Sequence, residues 1–78
     1  MKNIPIEVLR GIAADAGEHN PSYKRDQEAA YLKIEKRLSE VELTAEATAE
    51  IKARLFAQYR HNYTTQFANL EAEIARFA

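Results

Sequence analysis

Two histidines, His19 and His61, four tyrosines and an even spread of charge are the chemically versatile residues of this chain, which has no cysteine. Glu18-His19 has the donor types for half of a metal site. No His-x-x-x-His pair accompanies it, however, and no thiolate could complete it. Neighbours in sequence point apart on a helix, so His19 is expected to be a solvated loop residue. His61, between Tyr59 and Tyr63, has the residue types for acid–base work. Residues two apart lie on different faces of a helix, so these three do not converge. Tyr59 and Tyr63, four apart, do share a face, where amphipathic packing accounts for them. There is no Gly-rich phosphate loop and no nucleophile–base–acid set, and Glu71 and Glu73 read as surface carboxylates. A chain of 78 residues also has little room for a pocket of roughly 300 Å³. The expectation is a protein without catalytic residues, metal or cofactor.

The basic residues allow a different chemistry. Lys33, Lys36 and Arg37 cluster on one predicted helix, and Lys52 and Arg54 lie on the next. Together they are candidate contacts for a nucleic acid or an acidic partner. Acidic residues interleave throughout, and Glu50 with Arg54 makes an ordinary i, i+4 surface pair. With 11 basic and 12 acidic residues the net charge is −1, which leaves no nucleic-acid footprint at the level of the whole chain. The first residues lack the apolar core of a signal peptide. No run approaches the roughly 18 apolar residues that would span a bilayer. These features point to a soluble, cytoplasmic protein made in its mature form, with no membrane partner.

The elements that position these residues are helical. Ala, Glu, Lys, Leu and Arg are strong helix formers and are abundant here, while both prolines and both glycines fall within the first 21 residues. A first helix is predicted over about 5–16, with Pro5 at its start, Glu7 in its first turn and Gly17 ending it. Val8, Leu9, Ile12, Ala13 and Ala16 form its apolar face. Gly11, in its middle, either weakens it by about 1 kcal/mol relative to Ala or marks a close helix crossing. Residues 17–21 form a loop. A second helix follows over about 22–41, with Tyr31, Ile34, Leu38 and Val41 as a heptad-like seam. Leu32 lies off that seam and suggests contact with the first helix. Thr44 is placed to cap a third helix running over about 44–77.

That third helix is the most informative element. Ile51, Leu55, Phe56, Tyr59, Tyr63, Phe67, Leu70, Ile74 and Phe77 repeat at helical spacing, and five of the seven aromatic residues lie on it. Unbroken, it would be roughly 50 Å long against about 30 Å for the second helix. Its C-terminal half would then need cover. The first helix could fold along it, a second chain or foreign partner could lie on it, or it could break at the middling-propensity residues 61–65, with Thr64 or Thr65 as a new cap.

The fold expected is therefore all-α in a single domain, a three-helix bundle made of an antiparallel hairpin plus a short N-terminal helix. Its long C-terminal helix has a weak point near 61–65. Function is expected to be protein–protein interaction, by an inhibitor, adaptor or regulator of a larger assembly such as phages and plasmids encode, with a homodimer expected. The partner or dimer face would comprise Phe56, Tyr59, Tyr63, Phe67, Leu70, Ile74 and Phe77. Two alternatives stand beside it. One is a nucleic-acid-associated regulator using Lys33, Lys36, Arg37, Lys52 and Arg54, and the other is a structural subunit of a helical assembly.

Overall fold

The computed structural model describes residues 4–17 and 20–77. They form four helices: α1 (Ile6–Ala16), α2 (Pro21–Glu40), α3 (Ala45–Tyr59) and α4 (Tyr63–Ala75). The expected single helix over 44–77 is instead two helices joined by a sharp reversal at residues 60–62, so the three-helix count is corrected to four.

Local chemistry explains each boundary. Pro5 stands just before α1, and Pro21 occupies the first turn of α2, where its missing N–H costs nothing. Gly17 closes α1 at φ 77° and ψ 177°, a region open essentially to glycine alone, and its N–H donates to Ala13 O. Thr44 caps α3, its hydroxyl accepting from Ala47 N at 3.0 Å.

The reversal after α3 has its own logic. Asn62 N donates to Tyr59 O at 3.0 Å, closing a four-residue turn in which Arg60 takes φ 52° and ψ −125°. These are the angles of the first central position of a type II′ turn. The cap of α4 is Asn62, whose Oδ1 accepts from Thr65 N at 3.2 Å. Thr64 and Thr65, the residues expected to cap, fall inside the new first turn.

α2 and α4 share the largest interface, α3 packs on α4, and α1 lies on α2. The core comprises Ile12, Ala30, Ile34, Leu38, Ile51, Leu55, Tyr63, Leu70 and Ile74. At about 1.5 Å per residue, α3 and α4 each fit within the length of α2, which the unbroken helix could not do. The radius of gyration is 12.6 Å, close to the roughly 11–12 Å of a compact domain of this length. The seam of α2 is as expected from its heptad pattern, α1 packs on α2 as expected, and Leu32 is 37% exposed.

α1 is held partly through Gly11. A Cβ added there would overlap the ring of His61, so the two pack as a close crossing. His61 is in turn edge-to-face with Phe56, at a centroid distance of 5.0 Å. In a His61→Ala background, Gly11→Ala should stabilise by about 1 kcal/mol through helix propensity. In the parent the methyl must first displace the ring, so the two substitutions should couple by about 1 kcal/mol or more. Urea denaturation of the four proteins of this cycle measures the coupling, and strictly additive values would disprove the contact.

Candidate functional site

The reversal divides the predicted aromatic face between the inside and the outside of the molecule. Tyr63, Leu70 and Ile74 are buried in the chain's own core, and Tyr59 is half-buried against it. They are therefore not available to a partner in this arrangement. Phe56, Phe67 and Phe77 remain exposed. The seven residues do not form one surface, because α4 turns back to spend half of them on α2 and α3.

The basic cluster is likewise redistributed. Arg37 makes a two-pronged pair with Glu71, with both N···O distances 2.8 Å, and joins α2 to α4. Hydrogen bonding to Arg37 holds the Glu71 carboxyl below the usual carboxylate range. Lys52 reaches Glu35 at 2.7 Å, linking α3 to α2, and Arg54 reaches Glu73 at 2.8 Å, linking α3 to α4. Among the described residues, one ion pair thus joins each two of α2, α3 and α4, and Arg37, Lys52 and Arg54 act as ties between helices. The Arg37–Glu71 pair is exposed while Glu35 and Glu73 are more covered, and the main effect of the three pairs is on which charges stay available. Among the described residues, Lys33 and Lys36 have no carboxylate within ion-pair distance.

Two surface features result. The first is a groove of about 220 Å³ between α2 and α4, lined by Lys33, Lys36, Arg37, Glu40 and Phe67. Phe67 is 38% exposed, and Lys33 Nζ lies 5.9 Å from its ring centroid. The second is a cleft of about 200 Å³ lined by Tyr31, Ile34, Glu35, Lys52, Phe56, Tyr63 and Gln66. Tyr31 and Tyr63 meet edge-to-face there at 5.3 Å.

Burial, followed by the neighbouring Glu35 carboxylate, pushes the Tyr31 phenol up to about 12 from its ordinary 10.0. Burial also raises Tyr63, with Asp15 and Glu35 adding to it. A phenol raised on folding stabilises the fold fully below its unfolded value and loses that contribution as pH rises through the folded one. The fold should therefore hold up to about pH 10 and loosen between there and about pH 12. Phenolate absorbance followed alongside circular dichroism checks this. Full ionisation of all tyrosines near pH 10 with the helices intact would contradict it.

Sequence reasoning missed Gln27 and Gln66, which are buried to 2% and 4% exposure. Gln27 clamps the start of α4. Its Oε1 accepts from Thr64 N at 3.1 Å and its Nε2 donates to Thr64 Oγ1 at 3.2 Å. Gln66 Nε2 donates to Arg60 O at 2.6 Å, bracing the reversal. The signal was there in the heptad spacing. Gln27 is the next seam position before Tyr31, and Gln66 lies a turn from Tyr63 and Leu70. His61 packs between Gly11, Phe56 and Tyr63 as a structural ring. Glu18 and His19 lie outside the described residues. Among the described residues no three His, Asp or Glu side chains gather as a metal site, and no helix is long and apolar enough to cross a membrane.

No family model, curated protein or solved structure matches the chain. Its function has to be argued from this geometry alone.

Proposed function

We propose that this chain is a helical protein-binding module that docks as a monomer onto a larger protein, as an inhibitor, adaptor or regulator of it. The reading is carried by the Phe67 groove. An exposed aromatic ring on α4 lies in a groove with Glu40, Lys33 and Lys36, and neither lysine pairs with a carboxylate among the described residues. Aromatic anchors inside a polar rim are the usual energetic centres of protein interfaces. The cationic rim selects a partner segment rich in Asp or Glu and disfavours a basic one.

The reason for expecting a homodimer was the uncovered half of a 50 Å helix, and the reversal at 60–62 removes that need by folding α4 onto α2. The nucleic-acid reading is weakened by the same rearrangement. Three of its five cations are tied to carboxylates within the molecule.

Immobilised parent chain, Phe67→Ala and Leu32→Ala variants, each incubated with extract of the source cells, provide the test. A protein captured by the parent and by Leu32→Ala, lost with Phe67→Ala and weakened by Lys36→Glu, supports the reading. Capture that is indifferent to Phe67 would sink it.

A further inference from the structure

The reversal at 60–62 is made by residues that a helix would also accept. It holds neither glycine nor proline. Arg60 takes φ 52° and ψ −125°, the first central position of a type II′ turn, which glycine favours. Arginine is among the stronger helix formers, so the turn strains a residue that a helix would hold without strain.

Helical bonding also stops only briefly there. Arg60 N donates to Phe56 O at 2.8 Å and Gln66 N donates to Asn62 O at 3.0 Å, so the α-helical pattern reaches Arg60 and resumes at Gln66. Between them, Thr64 N is held by Gln27 Oε1 and Thr65 N by Asn62 Oδ1. In an uninterrupted helix these two donors would bond Arg60 O and His61 O, four residues back. Opening the turn therefore leaves neither without an acceptor. The apolar spacing is continuous too, since Phe56, Tyr59, Tyr63 and Phe67 follow at steps of 3, 4 and 4.

What fastens α4 lies mostly outside the turn. Tyr63, Leu70 and Ile74 are buried in the core, and the Arg37–Glu71 and Arg54–Glu73 pairs tie α4 to α2 and α3. All of these contacts can be made equally by the α4 of a second copy of this chain. In such an exchange only the turn and the contacts of its own residues change, and a short strained hinge is the usual setting for it.

We propose that the reversal at 60–62 is a hinge with two states. In the closed state the chain folds α4 onto its own α2 and α3. In the open state α3 and α4 are one helix over 45–75, roughly 45 Å long, and two open chains exchange α4 to form a domain-swapped dimer. The closed state is held by the Asn62 cap, by the Gln27 clamp on Thr64 and by Gln66 Nε2, which donates to Arg60 O at 2.6 Å. Because α4 must leave the core before it can be exchanged, a chain that stays folded remains single, and the dimer forms during refolding at high concentration. The exchange rebuilds the Phe67 groove between α2 and the other chain's α4. The dimer thus presents two grooves, and its formation does not depend on what they bind.

The test unfolds the parent chain in urea and refolds it at micromolar and at millimolar concentration, followed by size-exclusion chromatography with light scattering. A dimer should form at millimolar concentration only, persist when diluted in the cold, and return to monomer after heating and cooling at micromolar concentration. The Arg37→Cys, Glu71→Cys double variant, joined by a bismaleimide long enough to span that pair, identifies the exchange, because the parent has no cysteine. Linked monomer should run as one chain in denaturant, and linked dimer as two. Arg60→Gly relieves the turn and weakens the helix, and it should lower the dimer yield by about fivefold or more. Asn62→Ala deletes the cap and should raise the yield. Phe67→Ala should leave it unchanged, which separates this dimer from one formed through the groove. The proposal is overturned if refolding gives monomer alone at every concentration, if the linked dimer runs as one chain, or if Arg60→Gly leaves the dimer yield unchanged. Should Asn62→Ala fail to fold, the parent and Arg60→Gly decide the question.

Discussion

Leu70→Ala should lower the unfolding free energy by about 2–5 kcal/mol, the usual cost of emptying a fully buried leucine site. Leu70 is 0% exposed at the junction of α4 with the other helices. Domains below about 80 residues have only a few kcal/mol of net stability. The variant should therefore be largely unfolded at room temperature, as circular dichroism and urea titration would record. The prediction is specific to the reversal. Were residues 44–77 one straight helix with its C-terminal half uncovered, the same substitution would remove a solvated side chain and cost a few tenths of a kcal/mol. A Leu70→Ala protein as stable as the parent would mean that α4 does not pack where it is placed. Phe67→Ala, three residues away but on the surface, provides the matched control and should retain the fold.

The second large effect is expected at Gln27. Replacing it with Met keeps the volume but deletes both hydrogen bonds to Thr64. The backbone N–H of Thr64 then loses its partner at a part-buried helix start, which costs about 1–3 kcal/mol. Because the Gln27 clamp fixes the first turn of α4 against α2, amide exchange at Thr64 and Thr65 should quicken more than exchange along α3. Unchanged stability and uniform exchange would show that Asn62 and Gln66 secure the reversal without the Gln27 clamp.

These residues also mark how far the sequence could be read. The seam of α2 was legible because Tyr31, Ile34, Leu38 and Val41 keep heptad spacing over three turns. The Thr44 cap was legible because its chemistry is local. Gly11 was recognised as a possible crossing point, and the His61 ring now occupies the space that a side chain would need.

The reversal at 60–62 was harder to place. Helical periodicity runs unbroken from Phe56 through Phe77, since the turn uses only three residues, nearly one helical turn, and the apolar spacing continues across it. The usual markers of a reversal, glycine and proline, are missing, and Arg60 stands where glycine would be expected. The weak stretch at 61–65 was the one available clue, and the cap proved to be Asn62 rather than a threonine.

The same continuity blurred the candidate site. Phe67 and Leu70 belong to one spaced series, yet α4 buries Leu70 and leaves Phe67 at the edge of its interface with α2. Spacing alone identifies a stripe but not its centre, which depends on where the neighbouring helices lie. The charges were ambiguous for a related reason. Arg37, Lys52 and Arg54 find their carboxylates 17 to 34 positions away in sequence, beyond the reach of any i, i+4 rule. Only the fold separates these ties from Lys33 and Lys36, which have no ion-pair partner among the described residues.

The central claim is that one chain closes its own core by turning back at 60–62 and keeps Phe67 for a foreign partner. The mass of the particle in solution, measured by light scattering over a wide concentration range, tests it most directly. The account predicts the mass of a single chain, 8.9 kDa, at every concentration. A stable dimer that Phe67→Ala converts to monomer would contradict it, because the groove assigned to another protein would then be filled by a second copy of this one.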